Sequence, residues 1–155
     1  MDTTARPVER LEHAGLHLSP PPPALGSYVP AVRVGDLIFT SGQLPLREGS
    51  LMRSGIVGRD VTAEEAVLLA EQCALNALAA AQTVCDLDSV VRIVKLTGYV
   101  ASDPSFTGQP AVINGASDVM SLAFGEAGSH AREAIGVAAL PLGAPVEVSV
   151  VLQIG

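Results

Sequence analysis

The sequence predicts an α+β domain with two helices on one face of a sheet, and three observations lead there. The chain has 155 residues, enough for one domain of ordinary size and too few for two independent cores. Hydrophobic residues make up 48% and charged residues 16%, which excludes a disordered chain, since disorder needs low hydrophobicity and high charge. The apolar pattern runs strands, helix, strand, helix, strands, the order of a layered α+β fold. Aromatic residues are 3% with no Trp, so Ala, Val, Leu and Ile must build the core. The low charge fraction also predicts that part of the apolar surface lies in a subunit interface.

Taken in order, residues 7–18 place Val8, Leu11 and Leu16 among charges and read as a short amphipathic helix, which the prolines Pro20 to Pro23 cannot continue. Residues 1–24 are therefore expected to form a helical extension with a stiff Pro-rich linker, and residues 25–155 the main domain. Tyr28 to Phe39 reads as two strands around Val34-Gly35-Asp36, and Thr40-Ser41-Gly42-Gln43 closes the second with small polar residues suited to a pocket. Leu51 to Val61 fits a further hairpin arm or loop. Thr62 with Glu65 three residues on makes a capping box, and Val67, Ala70, Ala74, Leu78 and Ala81 recur at helical spacing up to about Val84. The β-branched run from Val90 to Val100 is a strand, broken by Asp103-Pro104-Ser105 before a second helix from about Gln109 to Ala123. Gly125 and Gly128 open a loop. Two strands close the chain, Glu133 to Ala139 and Pro145 to Ile154, joined by Leu140-Pro141-Leu142-Gly143.

Nine Lys plus Arg against sixteen Asp plus Glu give a net charge of −7. Nucleic-acid binding draws on clustered cations, which the sequence lacks, so a small ligand or a protein is the expected partner. Cys73 and Cys85 both fall in a segment that reads as one helix, too far apart along it to bond within that helix, and no CxxC or His/Cys cluster accompanies them. Reduced thiols and a cytoplasmic location are the expectation. The first residues lack the basic, apolar, small-residue order of a signal peptide, and no apolar run approaches a membrane span.

Period-two alternation in the last strand sends Val146, Val148, Val150 and Leu152 to one face and Glu147, Ser149 and Gln153 to the other. Glu147 is thus expected away from the helix-covered core. In the preceding strand Arg132, Ala134, Gly136 and Ala138 share a face, so small residues beyond an arginine leave room for a ligand or a neighbouring subunit. Were these two strands a hairpin, Arg132 and Glu147 would sit far apart along it, and a site shared between subunits would remove that difficulty. A guanidinium grips a carboxylate at two points, and a carboxylate can orient or deprotonate water. The plainer reading of both residues is solvation or a salt bridge. His130 reads as a loop residue near Arg132 that can tune it, His13 and His17 have no evident partner, and Asn76 is expected to bond an adjacent loop.

The run Arg132-Glu133-Ala134-Ile135-Gly136-Val137-Ala138-Ala139-Leu140-Pro141, followed by Val146-Glu147-Val148, resembles the C-terminal signature of the RidA/YjgF family, the enamine/imine deaminases. Gly26-Ser27-Tyr28 is similar to the family's early Gly-Pro-Tyr, Thr40-Ser41-Gly42-Gln43 to its Ser-Gly-Gln, and Glu71-Gln72 with Asn76 to its first-helix pattern. The likeness covers residues 26–154. The chain departs from the pattern at Ala134, where a Cys is frequent, and at Ser149, where a second Glu is frequent. Either Asn114 or Asp118 can align with the family's cleft Asn.

The resemblance implies a chorismate-mutase-like α+β fold with a mixed sheet, assembled as a homotrimer with the sheets as an inner barrel and clefts between subunits. It implies Arg132 as the carboxylate binder, Glu147 as the handler of the attacking water, and Tyr28, Ser41, Gly42 and Asn114 as cleft residues. The reaction implied is hydrolysis of 2-aminoacrylate or 2-iminopropionate types to a 2-oxo acid and ammonia. No cofactor or metal is implied, because the imine carbon is already electrophilic. The alternative is a trimeric, non-catalytic binder of small carboxylates in the same clefts; a ribonuclease is disfavoured by the acidic composition.

Overall fold

The computed structural model describes residues 4–21, 23 and 26–155. Pro22 of the linker, and the expected boundary between residues 24 and 25, lie outside the described residues. Among these residues run three α-helices and seven strands.

Helix α1 (Pro7–His13) starts with Pro7 in its first turn, and the Glu9 carboxylate accepts from the backbone N–H and from the Nε of Arg6, each at 3.0 Å. It is shorter than the predicted 7–18, because Gly15 turns into the left-handed region and the Leu16 N–H closes back on the Leu11 carbonyl at 2.9 Å. Leu11 is wholly buried, and Val8, Leu16 and Leu18 pack on the same core. Strands β1 (Ala31–Val34) and β2 (Leu37–Thr40) pair antiparallel across Gly35-Asp36. Of the two readings of Leu51 to Val61 the loop holds for residues 52–61, and a hairpin stands just before it, at β3 (Leu46–Arg47) and β4 (Ser50–Leu51). Glu48 and Gly49 both take positive φ, the two-residue turn that matches strand twist, and Gly49 makes it accessible.

Helix α2 (Ala63–Ala81) begins with the predicted capping box: Thr62 Oγ1 accepts from the Glu65 N–H at 3.1 Å, and Glu65 Oε2 accepts from the Thr62 N–H at 2.8 Å. It ends at Ala81, so Cys85 stands beyond it. Its residues from Gln72 to Ala81 are buried all round, because the sheet covers one side and the helix at Gln109–Phe124 packs on another, while residues 18–21 share a cavity of about 320 Å³ with Ala79, Gln82 and Thr83. Strand β5 (Val90–Ala101), helix α3 (Gln109–Phe124) and strand β6 (Ala131–Val137) form a βαβ unit, with a short 3₁₀ turn at Gly125–Gly128 between α3 and β6. Strand β7 (Val146–Ile154) ends the fold.

The main sheet has the order β1-β2-β7-β5-β6, with β5 and β6 parallel and the other pairs antiparallel. The last two strands are therefore not a hairpin: β5 lies between them. The turn at Pro141–Gly143 has to carry the chain across β5, and Leu142 takes a positive φ there. Helices α2 and α3 cover one face, where Leu96, Val100, Val148, Val150 and Leu152 are buried beneath them. The helices approach so closely that a Cβ on Gly115 would overlap the Val67 carbonyl. Among the described residues no helix covers the opposite face, where Val32, Phe39 and Ile135 remain 47%, 39% and 40% exposed.

Candidate active site

Glu147 lies on the uncovered face, as its alternation predicted, in the strand whose alternate residues, from Val146 to Ile154, enter the core. Its carboxyl is half-buried because the chain leaving β2 crosses it: Gln43 bridges to Val148 with N–H···O bonds of 2.8 and 3.0 Å. Glycine at position 42 leaves the carboxylate its room at this crossing, since a Cβ there would overlap the Glu147 carboxylate and push it aside. Burial pushes the Glu147 carboxyl above its ordinary value. Beside it, Ser41 donates its hydroxyl to the Val29 carbonyl at 2.6 Å, and its N–H bonds the Pro30 carbonyl at 2.8 Å. These bonds tie the segment carrying Tyr28 to Ser41, and the Tyr28 ring is half exposed.

Arg132 occupies the other face of the sheet, on edge strand β6. Its Nη1 donates to Asn114 Oδ1 at 2.7 Å and to Ser117 Oγ at 3.3 Å. Of the two candidates on α3, Asn114 therefore meets Arg132, while Asp118 points to solvent. Among the described residues no carboxylate forms a salt bridge with Arg132. The small residues beyond it, Ala134 and Gly136, lead to a cavity of about 470 Å³ lined by Ser102, Phe106, Gln109 and Gly136.

The predicted residues thus fall into two groups, Glu147 with Ser41 and Gly42, and Arg132 with Asn114. Across β5, Arg132 stands opposite the buried Leu96 and Glu147 opposite Tyr99, which places them three residues apart along the strand and on opposite faces. Two strand spacings and three residues of rise put their Cα atoms roughly 14 Å apart. Within one protomer the two side chains start from opposite faces of the sheet and do not converge.

The family described as "YjgF/chorismate_mutase-like, putative endoribonuclease" matches residues 8–153. The chain belongs to the RidA/YjgF family. Protein TCP17 of Trypanosoma cruzi is 40% identical over 97% of this chain and 96% of its own length. A crystal structure of Atu1372 from Agrobacterium tumefaciens, of unknown function, is 42% identical, covers 96% of this chain and 92% of its own, and superposes with a TM-score of 0.89. A putative endoribonuclease from Shewanella oneidensis is 34% identical over 97% of this chain and 100% of its own, with a TM-score of 0.93.

The strand order puts the Arg strand at an edge and the Glu strand inside with β5 between them, and the odd offset of Leu96 from Tyr99 sends the two side chains to opposite faces. Sequence reading overlooked Ser117. Its spacing from Asn114, three residues along α3, was the available signal, since i and i+3 share a helix face. Asn76 bonds the loop as expected, donating to the Leu44 and Leu46 carbonyls at 3.0 and 2.9 Å. Among the described residues no helix is long and apolar enough to cross a membrane, and Cys73 and Cys85 are free thiols.

Proposed function

We propose that this RidA/YjgF protein hydrolyses enamine or imine intermediates of amino-acid type to 2-oxo acids and ammonia, in clefts between the subunits of a homotrimer. The observation that carries the reading is the Arg132 guanidinium, held by Asn114 Oδ1 at 2.7 Å and unpaired with any described carboxylate. Such a group is prepared for the carboxylate of a substrate. The uncovered apolar sheet face supports assembly, and assembly supplies the second chain that the separation of Arg132 and Glu147 requires.

In this reading Arg132 of one subunit grips the substrate carboxylate and Glu147 of its neighbour accepts a proton from water. As the water oxygen bonds to the imine carbon, Glu147 passes the proton it has taken to the imine nitrogen, giving a neutral carbinolamine. Glu147 then takes the carbinolamine hydroxyl proton and hands it to the amine nitrogen, the C–N bond breaks, and ammonia leaves as the carbonyl forms. A carboxyl raised by burial suits both halves of this exchange. Tyr28 and Ser41 would line the cleft, and the cavity beyond Ala134 leaves space for a substrate side chain.

The test is ammonia release from imino acids generated in situ by an amino-acid oxidase. Native protein is expected to accelerate it, and Arg132→Ala and Glu147→Gln to abolish the acceleration. Full activity in Arg132→Ala would overturn the reading. The competing role, a binder of small carboxylates without turnover, draws on Ser149, where the family pattern often has a second Glu; it predicts stabilisation by 2-oxo acids with no hydrolysis.

A further inference from the structure

Ser117 and His130 take no part in the chemistry above, yet they stand directly behind Arg132. The His130 Nδ1 lies 2.6 Å from the Gly128 carbonyl. A carbonyl only accepts, so Nδ1 carries the ring proton, and in the neutral ring Nε2 is an acceptor. Ser117 Oγ stands 2.9 Å from that Nε2. The hydroxyl therefore donates to the ring, and its lone pairs are left for the Nη1 of Arg132 at 3.3 Å. Asn114 Oδ1 accepts from the same nitrogen, so two acceptors on one face of α3 converge on one corner of the guanidinium. Without His130 the serine loses the partner that fixes its hydroxyl, and its rotor no longer keeps Oγ in place beside the arginine.

We propose that His130 is a positioning residue which, by fixing the polarity of Ser117, holds the Arg132 guanidinium with its remaining donors directed to the substrate carboxylate. An arginine loses several rotamers on binding, and holding it beforehand strengthens the grip on a carboxylate without touching the reacting carbon. The proposal rests on the reading of Arg132 as the carboxylate clamp.

The experiment compares native protein with His130→Ala, His130→Asn and His130→Gln, measuring the Kd for pyruvate and the kcat and KM for 2-iminopropionate. Gln places a carbonyl oxygen near the Nε2 position, whereas Asn places an N–H near Nδ1, so the two restore different halves of the contact. Ala and Asn are expected to raise Kd and KM about tenfold with kcat little changed, and Gln to recover most of the loss. Rescue by Asn and not Gln would reduce His130 to a brace for the Gly128 turn and overturn the proposal; so would native values in all three variants. If native protein fails to bind pyruvate, or Arg132→Ala binds it as well as native, the clamp reading fails instead. NMR relaxation of the Arg132 Nε–H then decides the positioning on its own: His130→Ala should leave that group more mobile, and equal order would overturn the proposal.

Discussion

Arg132 and Glu147 flank β5 from its two edges and on opposite faces, beside Leu96 and Tyr99 respectively. If the clefts join the Arg of one chain to the Glu of the next, Arg132→Ala and Glu147→Gln damage different halves of each site. Mixed trimers refolded from equal amounts of the two inactive variants should then regain about a quarter of native activity, the fraction of clefts that draw both intact halves. Ammonia release from the mixture checks this, and no recovery in verified mixed trimers would mean that both residues serve from one chain.

Gly42→Ala should lower activity far more than stability. The added Cβ overlaps the Glu147 carboxylate, a side chain free to swing away, so the fold survives while the carboxylate moves. A displacement of about 1 Å at a catalytic group is worth on the order of 100-fold. Thermal melting alongside kcat separates the two effects.

Glu147→Gln should stabilise the protein at neutral pH and not in acid. Burial raises the folded carboxyl above its ordinary value of 4.5, so the native state keeps its proton to a higher pH than the unfolded chain. Unfolding therefore releases a proton in that window, and native stability falls as pH rises through it. The variant escapes this loss, with a gain below about 1 kcal/mol because the group is half exposed and screened. Denaturant unfolding at pH 4 and pH 7, at one protomer concentration, measures it.

Gly115→Ala should destabilise the fold by about 1–3 kcal/mol through overpacking. The new methyl meets the Val67 carbonyl, which is backbone and cannot rotate aside, so α3 must shift and carry Asn114 away from Arg132. Weaker 2-oxo acid binding together with a lower denaturation midpoint is the expected pair of results.

Asn76→Ala should cost about 1–3 kcal/mol, since it strips the Leu44 and Leu46 carbonyls of their buried donor. The loop released is the continuation of Ser41-Gly42-Gln43, so activity should fall with stability. Chemical denaturation with the ammonia assay tests both.

Several features of this protein were determined by local sequence alone. The capping box at Thr62 and Glu65 starts α2 because its two bonds close within one turn, and the alternation through β7 assigns Glu147 to the uncovered face because strand period two needs no knowledge of the partner strand. Gly15 shows the limit of periodicity, since a left-handed residue ended α1 within an apolar pattern that ran on to Leu18. Which strand lies beside which is a long-range matter. The parallel pairing of β6 with β5, and the insertion of β5 between β6 and β7, depend on α3 packing back over the sheet. That packing decided that Asn114, not Asp118, meets Arg132, and it brought Ser117 and His130 together behind the guanidinium. Side-chain period and capping are written in neighbouring residues, whereas strand order and the hydrogen bonds of a site are fixed only when distant segments bury their apolar faces together.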